Sequence, residues 1–299
     1  YDFSEIVLSG AAVLGIHSNV VVKTGALVSE NAAGRTNQLA FLGGKLKLPR
    51  ESVVSNVILR LYLPGFPLDF DAEESRTTRF GAGLLCYADV PVSFPGALHL
   101  LPGSCVVHTI NGAAFLYGVD IEAAGNIVVD AGAAIDAVGR GYDRNKGHGP
   151  SNLGLASEYN GGGSHGGRGR SSGFAVCYGS VTNPVLPGAG TKDKNARGGG
   201  VIALKTAGEL KVDGAIAADG APTDYSGGAG GSVKIEAASL SGSGTIRADG
   251  GAGWDAKWCC GGGGRVAVRL TGQGAGFSGA PAITAYGGRL PATTKTAGP

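Results

Sequence analysis

The sequence predicts an all-β chain: a parallel β-solenoid of the right-handed β-helix kind, carrying one long, ordered, glycine-rich lateral loop. Three observations predict it. Glycine supplies 56 of 299 residues, yet 43% of the chain is apolar, so the composition is neither collagenous nor that of a disordered low-complexity segment. Short alternating strands recur at about 30-residue intervals with two or three strands per period. No segment keeps a 3.6-residue apolar period over three turns, because glycine and proline interrupt every candidate.

Taken along the chain, the run FSEIVLSGAAVLGI (3–16) is apolar enough for a docking strand or a cap. NVVVKTGALV (19–28) shares its pattern with NIVVDAGAAI (126–135), and KLKLPRESVV (45–54) and ALHLLPGSCVV (97–107) each read as strand, proline-containing turn, strand. Between them, 62–84 is charged and without pattern, which predicts an excursion. The clearest repeats begin with strands at Val201, Val233 and Val266 after a glycine cluster. Each is followed by a second short strand with one signature: Ile216-x-Ala218-x-Gly220, Ile246-x-Ala248-x-Gly250, Ile283-x-Ala285-x-Gly287. Ile135-x-Ala137-x-Gly139 is a fourth copy. Stacked at about 4.7–4.9 Å, such positions form ladders: small apolar residues fill a narrow interior, and glycine supplies positive-φ corners.

The domain reading is a single unit over 1–290, with N-terminal coils over 1–118 and glycine-rich coils over 119–290, followed by a tail or linker at 291–299. The repeat is interrupted by 140–200, where Phe174, Val176, Cys177, Tyr178, Val185 and Leu186 accompany the glycines. A flexible linker would not carry that apolar cluster, so an ordered loop lying on one face is expected. A β-sandwich or propeller fits less well, since propeller blades use longer periods and aromatic signatures.

GGGSHGG (161–167), CYGS (177–180), NPVLPGAG (183–190), GGGVIAL (198–204), GGAGGSVKIEA (227–237), IRADGGAG (246–253) and GGGGRVAV (261–268) stand in an order that resembles the glycine-rich, pectin-lyase-like β-helix regions of large extracellular proteins. The resemblance covers about residues 119–288. It implies secretion and a β-helix, and transfers no catalytic residue.

Net charge is +2, without the concentrated basic face that nucleic-acid binding needs. No apolar stretch reaches membrane-spanning length. The absence of methionine and the start at Tyr1 read as a mature or excised chain. Cys86, Cys105, Cys177, Cys259 and Cys260 are candidates for one or two disulfides of a secreted protein, with an odd thiol left over. Adjacent Cys259 and Cys260 would each pair elsewhere.

Catalysis on such a fold needs carboxylates of separated pKa. Asp219 and Asp249, at one repeat position with Asp213 nearby, are the best pair, and their bland alternative is turn capping. GGAGWDAKW (250–258) matches a calcium nonapeptide only once, with Lys257 at an apolar position. His165 and His148 lack a partner at metal spacing, so no catalytic residue, metal or cofactor is assigned. Trp254, Trp258, Tyr178 and His165 are the candidate contacts to a glycan or partner. The expected function is a secreted structural subunit of a filament, appendage or matrix that associates with itself, without nucleic-acid or membrane partners. A carbohydrate-binding module or a polysaccharide-degrading enzyme is the alternative.

Overall fold

The computed structural model describes every residue except 19, 32–35, 66, 71–76, 156–160, 170–174, 193–195, 224, 254–259, 273–280 and 290–299. Among the described residues there are 26 short strands and no helix. They form five sheets of nine, six, five, four and two strands, and every strand pair is parallel. A parallel neighbour requires a crossover, and here the crossover has one form. Within each sheet, paired strands stand three places apart in the chain, except for the final pair of Thr245–Arg247 with Ala282–Thr284. No sheet closes on itself.

The nine-stranded sheet shows why these sequences stack. Its central row runs Leu14, Leu39, Leu59, Cys86, Val106, Ile135, Ile216, Ile246, Ile283, one residue per strand. All seven members between the two ends are buried. The row therefore contains the four isoleucines of the repeated signature, and Ala137, Ala218 and Ala248 are buried behind them. Alternation does the sorting: in Val119–Ala123 the residues Val119, Ile121 and Ala123 are buried while Asp120 and Glu122 face solvent. A slip of one residue would exchange these faces.

The strand expected at Val201 does start there, but parity corrects its alignment with Val233 and Val266. Val201 lies beside Ser232, and the row of Val233 and Val266 contains Ile202 instead. Two adjacent apolar residues left the phase of that strand open, and the interior selects Ile202 with Leu204. The expected excursion at 62–84 is corrected too. Leu68–Phe70 pairs with Lys45–Leu48, and Thr77–Phe80 bridges Val53–Val54 and Ala97–Leu100. Strands of three and four residues, with charges between them, carried too little periodicity to be recognised.

The disulfides expected of the cysteines are not formed: Cys86, Cys105, Cys177 and Cys260 are free, and Cys259 lies outside the described residues. Register explains the first two. Cys86 pairs with Val106 in the interior row, while Cys105 sits beside Leu85 on the outward side. Burial, with Asp89 and Cys105 adding to it, holds the Cys86 thiol protonated far above its ordinary range, and burial pushes Cys105 up to about 11.

Glycine has two separate uses. Gly83, Gly103 and Gly132 adopt positive φ on successive turns of the chain, with Gly83 N–H donating to Gly103 O and Gly103 N–H to Gly132 O. These are the predicted corners. Among the described residues, the glycines after residue 187 have no such φ, Gly242 apart. There the missing Cβ is what counts. A Cβ on Gly199 would overlap the carbonyl oxygen of Ala218, and one on Gly198 that of Gly188.

Gly199→Ala is expected to lower unfolding free energy by about 3 kcal/mol through forced backbone separation. Gly112 has no atom within contact range of an added Cβ and no positive φ, so Gly112→Ala should stay within about 0.5 kcal/mol. Urea midpoints of the two variants check this, and equal losses would refute the close-approach account.

Candidate functional site

The insertion 140–200 packs as a bundle of extended glycine segments with the chain reversals of later repeats. Successive donors at 228–231 reach different neighbours: Gly228 N–H to Ala221 O, Ala229 to Ala189 O, Gly230 to Gly262 O, and Gly231 back to Ala218 O. A β-strand would alternate with period two. Return to the 218–221 segment at the third residue is the period of an extended helix with three residues per turn. At 261–264 the pattern recurs, with Gly261 and Gly264 both donating to the 248–251 segment and Gly262 to Gly163 O. Such a helix has no internal hydrogen bonds, so each segment depends on its neighbours for satisfaction of its backbone.

One ring cluster plugs this bundle. Tyr178 is buried and donates its hydroxyl to Pro187 O at 2.6 Å. Its ring stacks on His148 at 5.4 Å and lies 4.7 Å from His165. His148 Nδ1 hydrogen-bonds the Tyr142 hydroxyl at 2.9 Å. Arg265, from the last strand of the five-stranded sheet, donates to Tyr178 O through Nε and Nη2. His165 is wholly buried, its Nδ1 2.9 Å from Gly230 O, and its Nε2 has no hydrogen-bond partner among the described residues. Burial first, and then Arg265 and His148, hold its pKa down at about 4 against the Gly230 carbonyl. Tyr178 and His165, expected as surface contacts, are thus interior residues of the bundle. Trp254 and Trp258 lie outside the described residues.

His108 carries no functional signal in the sequence. It is buried at the joint where the insertion leaves the sheets, with Nδ1 2.7 Å from Thr109 O and Nε2 facing Val201 N–H at 3.4 Å. Burial takes its pKa down to about 4 as well.

The aspartates do something neither sequence reading anticipated: each holds the next turn of the chain. Asp219 Oδ1 accepts from Asp249 N–H at 2.7 Å, and Asp249 Oδ1 accepts from Tyr286 N–H at 2.6 Å. Asp213 Oδ1 accepts from Ser243 N–H, and Asn126 Oδ1 from Glu209 N–H. Asp219 also faces Arg247 at 3.2 Å, yet burial outweighs that charge and raises its pKa. These carboxylates are engaged as acceptors between layers. Among the described residues no group of three His, Cys, Asp or Glu could hold a metal ion, and the single calcium-like nonapeptide lies mostly outside them.

The remaining unpartnered chemistry lies at the sheet ends. In Arg265–Leu270, Val266, Val268 and Leu270 pack only partly against the core, and Ile283 in the last strand is 38% exposed. At the other end Phe3 is 47% exposed, and Leu14 is only partly buried. Edge strands present free N–H and C=O groups along with these rows. A groove of about 610 Å³ runs beside the end formed by Arg265–Leu270, between Val181–Asn183 and the outward residues Lys234, Glu236 and Arg269.

No helix among the described residues is long and apolar enough to cross a membrane. No family model, curated protein or solved structure matches the chain.

Both buried histidines predict acid sensitivity. Unfolded histidine titrates near 6.5 and folded His165 and His108 near 4, so between these values only the unfolded chain takes up the protons. Stability should be flat above about pH 7.5 and fall by about 3 kcal/mol per histidine as pH drops from 6.5 to 4. Asp219, with a raised folded pKa, opposes this weakly: its contribution is present at low pH and lost as pH rises. Urea unfolding between pH 4 and 8 checks the slope, which His165→Asn should reduce.

Proposed function

We propose that the chain is a parallel β-solenoid, of the kind its glycine-rich segments resemble, and that it serves as a secreted structural subunit of an extracellular filament, appendage or surface matrix. The three-strand cycle with its continuous interior row supports the solenoid. The observation that carries the structural role is the state of the two ends. The interior apolar rows run out to strands whose outer edges pair with no described residue, and such edges template the addition of further strands. All strands are parallel, so the two ends differ, and copies joining through them form an open, polar stack instead of a closed pair.

A second reading, a carbohydrate-binding module, rests on the groove beside Lys234, Glu236 and Arg269. Its lining of amide, hydroxyl and charged groups from Asn183, Thr182 and these three residues suits a polar ligand. Tyr178 and His165 contribute nothing to it from the interior.

Electron microscopy of the purified chain, with and without reductant, tests the structural reading. Filaments are expected with an axial repeat of about 43 Å, from nine strands at about 4.8 Å each. Because the four described cysteines are free, reductant should leave them intact. Uniform monomers at every concentration would refute the filament and bring glycan-binding assays forward.

A further inference from the structure

We infer that the filament contact has one register, in which Arg269 of one copy lies beside Asp2 of the next. This rests on the stacking reading above and specifies its interface. The five-stranded sheet carries an outward column Glu122, Lys205, Glu236, Arg269, one residue per strand. Its charges alternate in sign. Lys205 Nζ lies 2.7 Å from Glu122 Oε1, and Glu236 is held by Lys234 at 3.5 Å. Arg269 ends the column, exposed and without an ion pair among the described residues. The next residue the alternation calls for is an acid.

The first strand of the same position in the three-strand cycle, Asp2–Phe3, offers one. Asp2 heads its own outward column, followed by Lys23 and Lys47. Placing Asp2 beside Arg269 in parallel extends the series as acid, base, acid, base, acid, base. Cross-strand opposite charges of this kind favour one pairing over others.

Parity gives an independent check. With Asp2 beside Arg269, Phe3 falls beside Leu270. Phe3 pairs with buried Thr24 and so belongs to the inward side, and Leu270 packs against the core. The half-exposed ring of Phe3 then covers the row that the last strand leaves open. At the third position of the cycle, the same stack sets Leu14, first of the nine-membered row, against Ile283, its last member. A shift of one residue would place Asp2 on the inward side beside Leu270 or Val268, at the cost of an unpaired buried charge. A shift of two would set it against neutral Ala267. One register satisfies both the charges and the apolar rows.

Reversal of the two charges tests this. The wild-type chain, Asp2→Arg, Arg269→Glu and the double variant are compared at low salt by sedimentation velocity and electron microscopy, with circular dichroism confirming the fold. Either single reversal is expected to raise the critical concentration for polymerisation at least tenfold. The double variant should return to within about threefold of wild type. Single variants that polymerise as wild type does, or a double variant that fails to recover, would overturn this register while the filament stands. A wild-type chain that never polymerises overturns the register and the filament together.

Discussion

How closely two backbones can approach governs much of this molecule. In the glycine-rich half, the place where a Cβ would stand is taken by a carbonyl oxygen of the neighbouring segment, at Gly198, Gly199, Gly231 and Gly264 alike. Close approach lets a single extended segment hydrogen-bond to three neighbours in turn, as 228–231 does. Any side chain at these positions would push the segments apart. Glycine loses more conformational freedom on ordering than other residues, and the dense lateral hydrogen bonding offsets that loss.

The sheets apply the complementary rule. Their strands keep side chains, and the inward rows of leucine, valine and isoleucine set the register by parity. Corner residues then secure it in the axial direction: Asn126, Asp213, Asp219 and Asp249 each accept an N–H from the following turn. Apolar rows choose which face a residue takes, and the corner acceptors choose how far along the strand the next layer begins. Arg265 joins the two regimes, since its strand ends the five-stranded sheet while its guanidinium holds the carbonyl of Tyr178 in the bundle.

What could be read from the sequence follows this division. The Ile-x-Ala-x-Gly signature identified true stacking partners because Ile216, Ile246 and Ile283 are inward and their alanines lie two residues on, on the same side. Val201 misled by one place because its neighbour Ile202 is equally apolar. Leu68–Phe70 and Thr77–Phe80 escaped notice because three or four residues cannot display a period. The bundle was legible only as an ordered insertion. By sequence glycine is a maker of positive-φ corners, and runs such as GGAGG carry no side-chain pattern to reveal a threefold period. For the same reason His165 is a candidate surface contact by sequence when it is interior, since nothing in GGGSHGG tells how many other backbones surround it.

The insertion has an effect on the order in which the chain can become structured. Ala134–Asp136 and Ala215–Ala217 are adjacent in the nine-stranded sheet although the whole insertion lies between them. Loop-closure entropy grows only slowly with the length bridged, so the sheet can continue across the gap at small penalty. The insertion itself is less independent. Its glycine segments find acceptors and donors at 218–221, 227–231 and 261–264, all further along the chain. During synthesis the first layers can assemble as they emerge, whereas Gly163 and Gly167 remain without their acceptors, Gly227 O and Gly263 O, until about 64 and 96 more residues have followed. The bundle is therefore a late event that depends on residues 261–264, and a truncation before Gly261 would leave an already stacked sheet bearing an incomplete insertion.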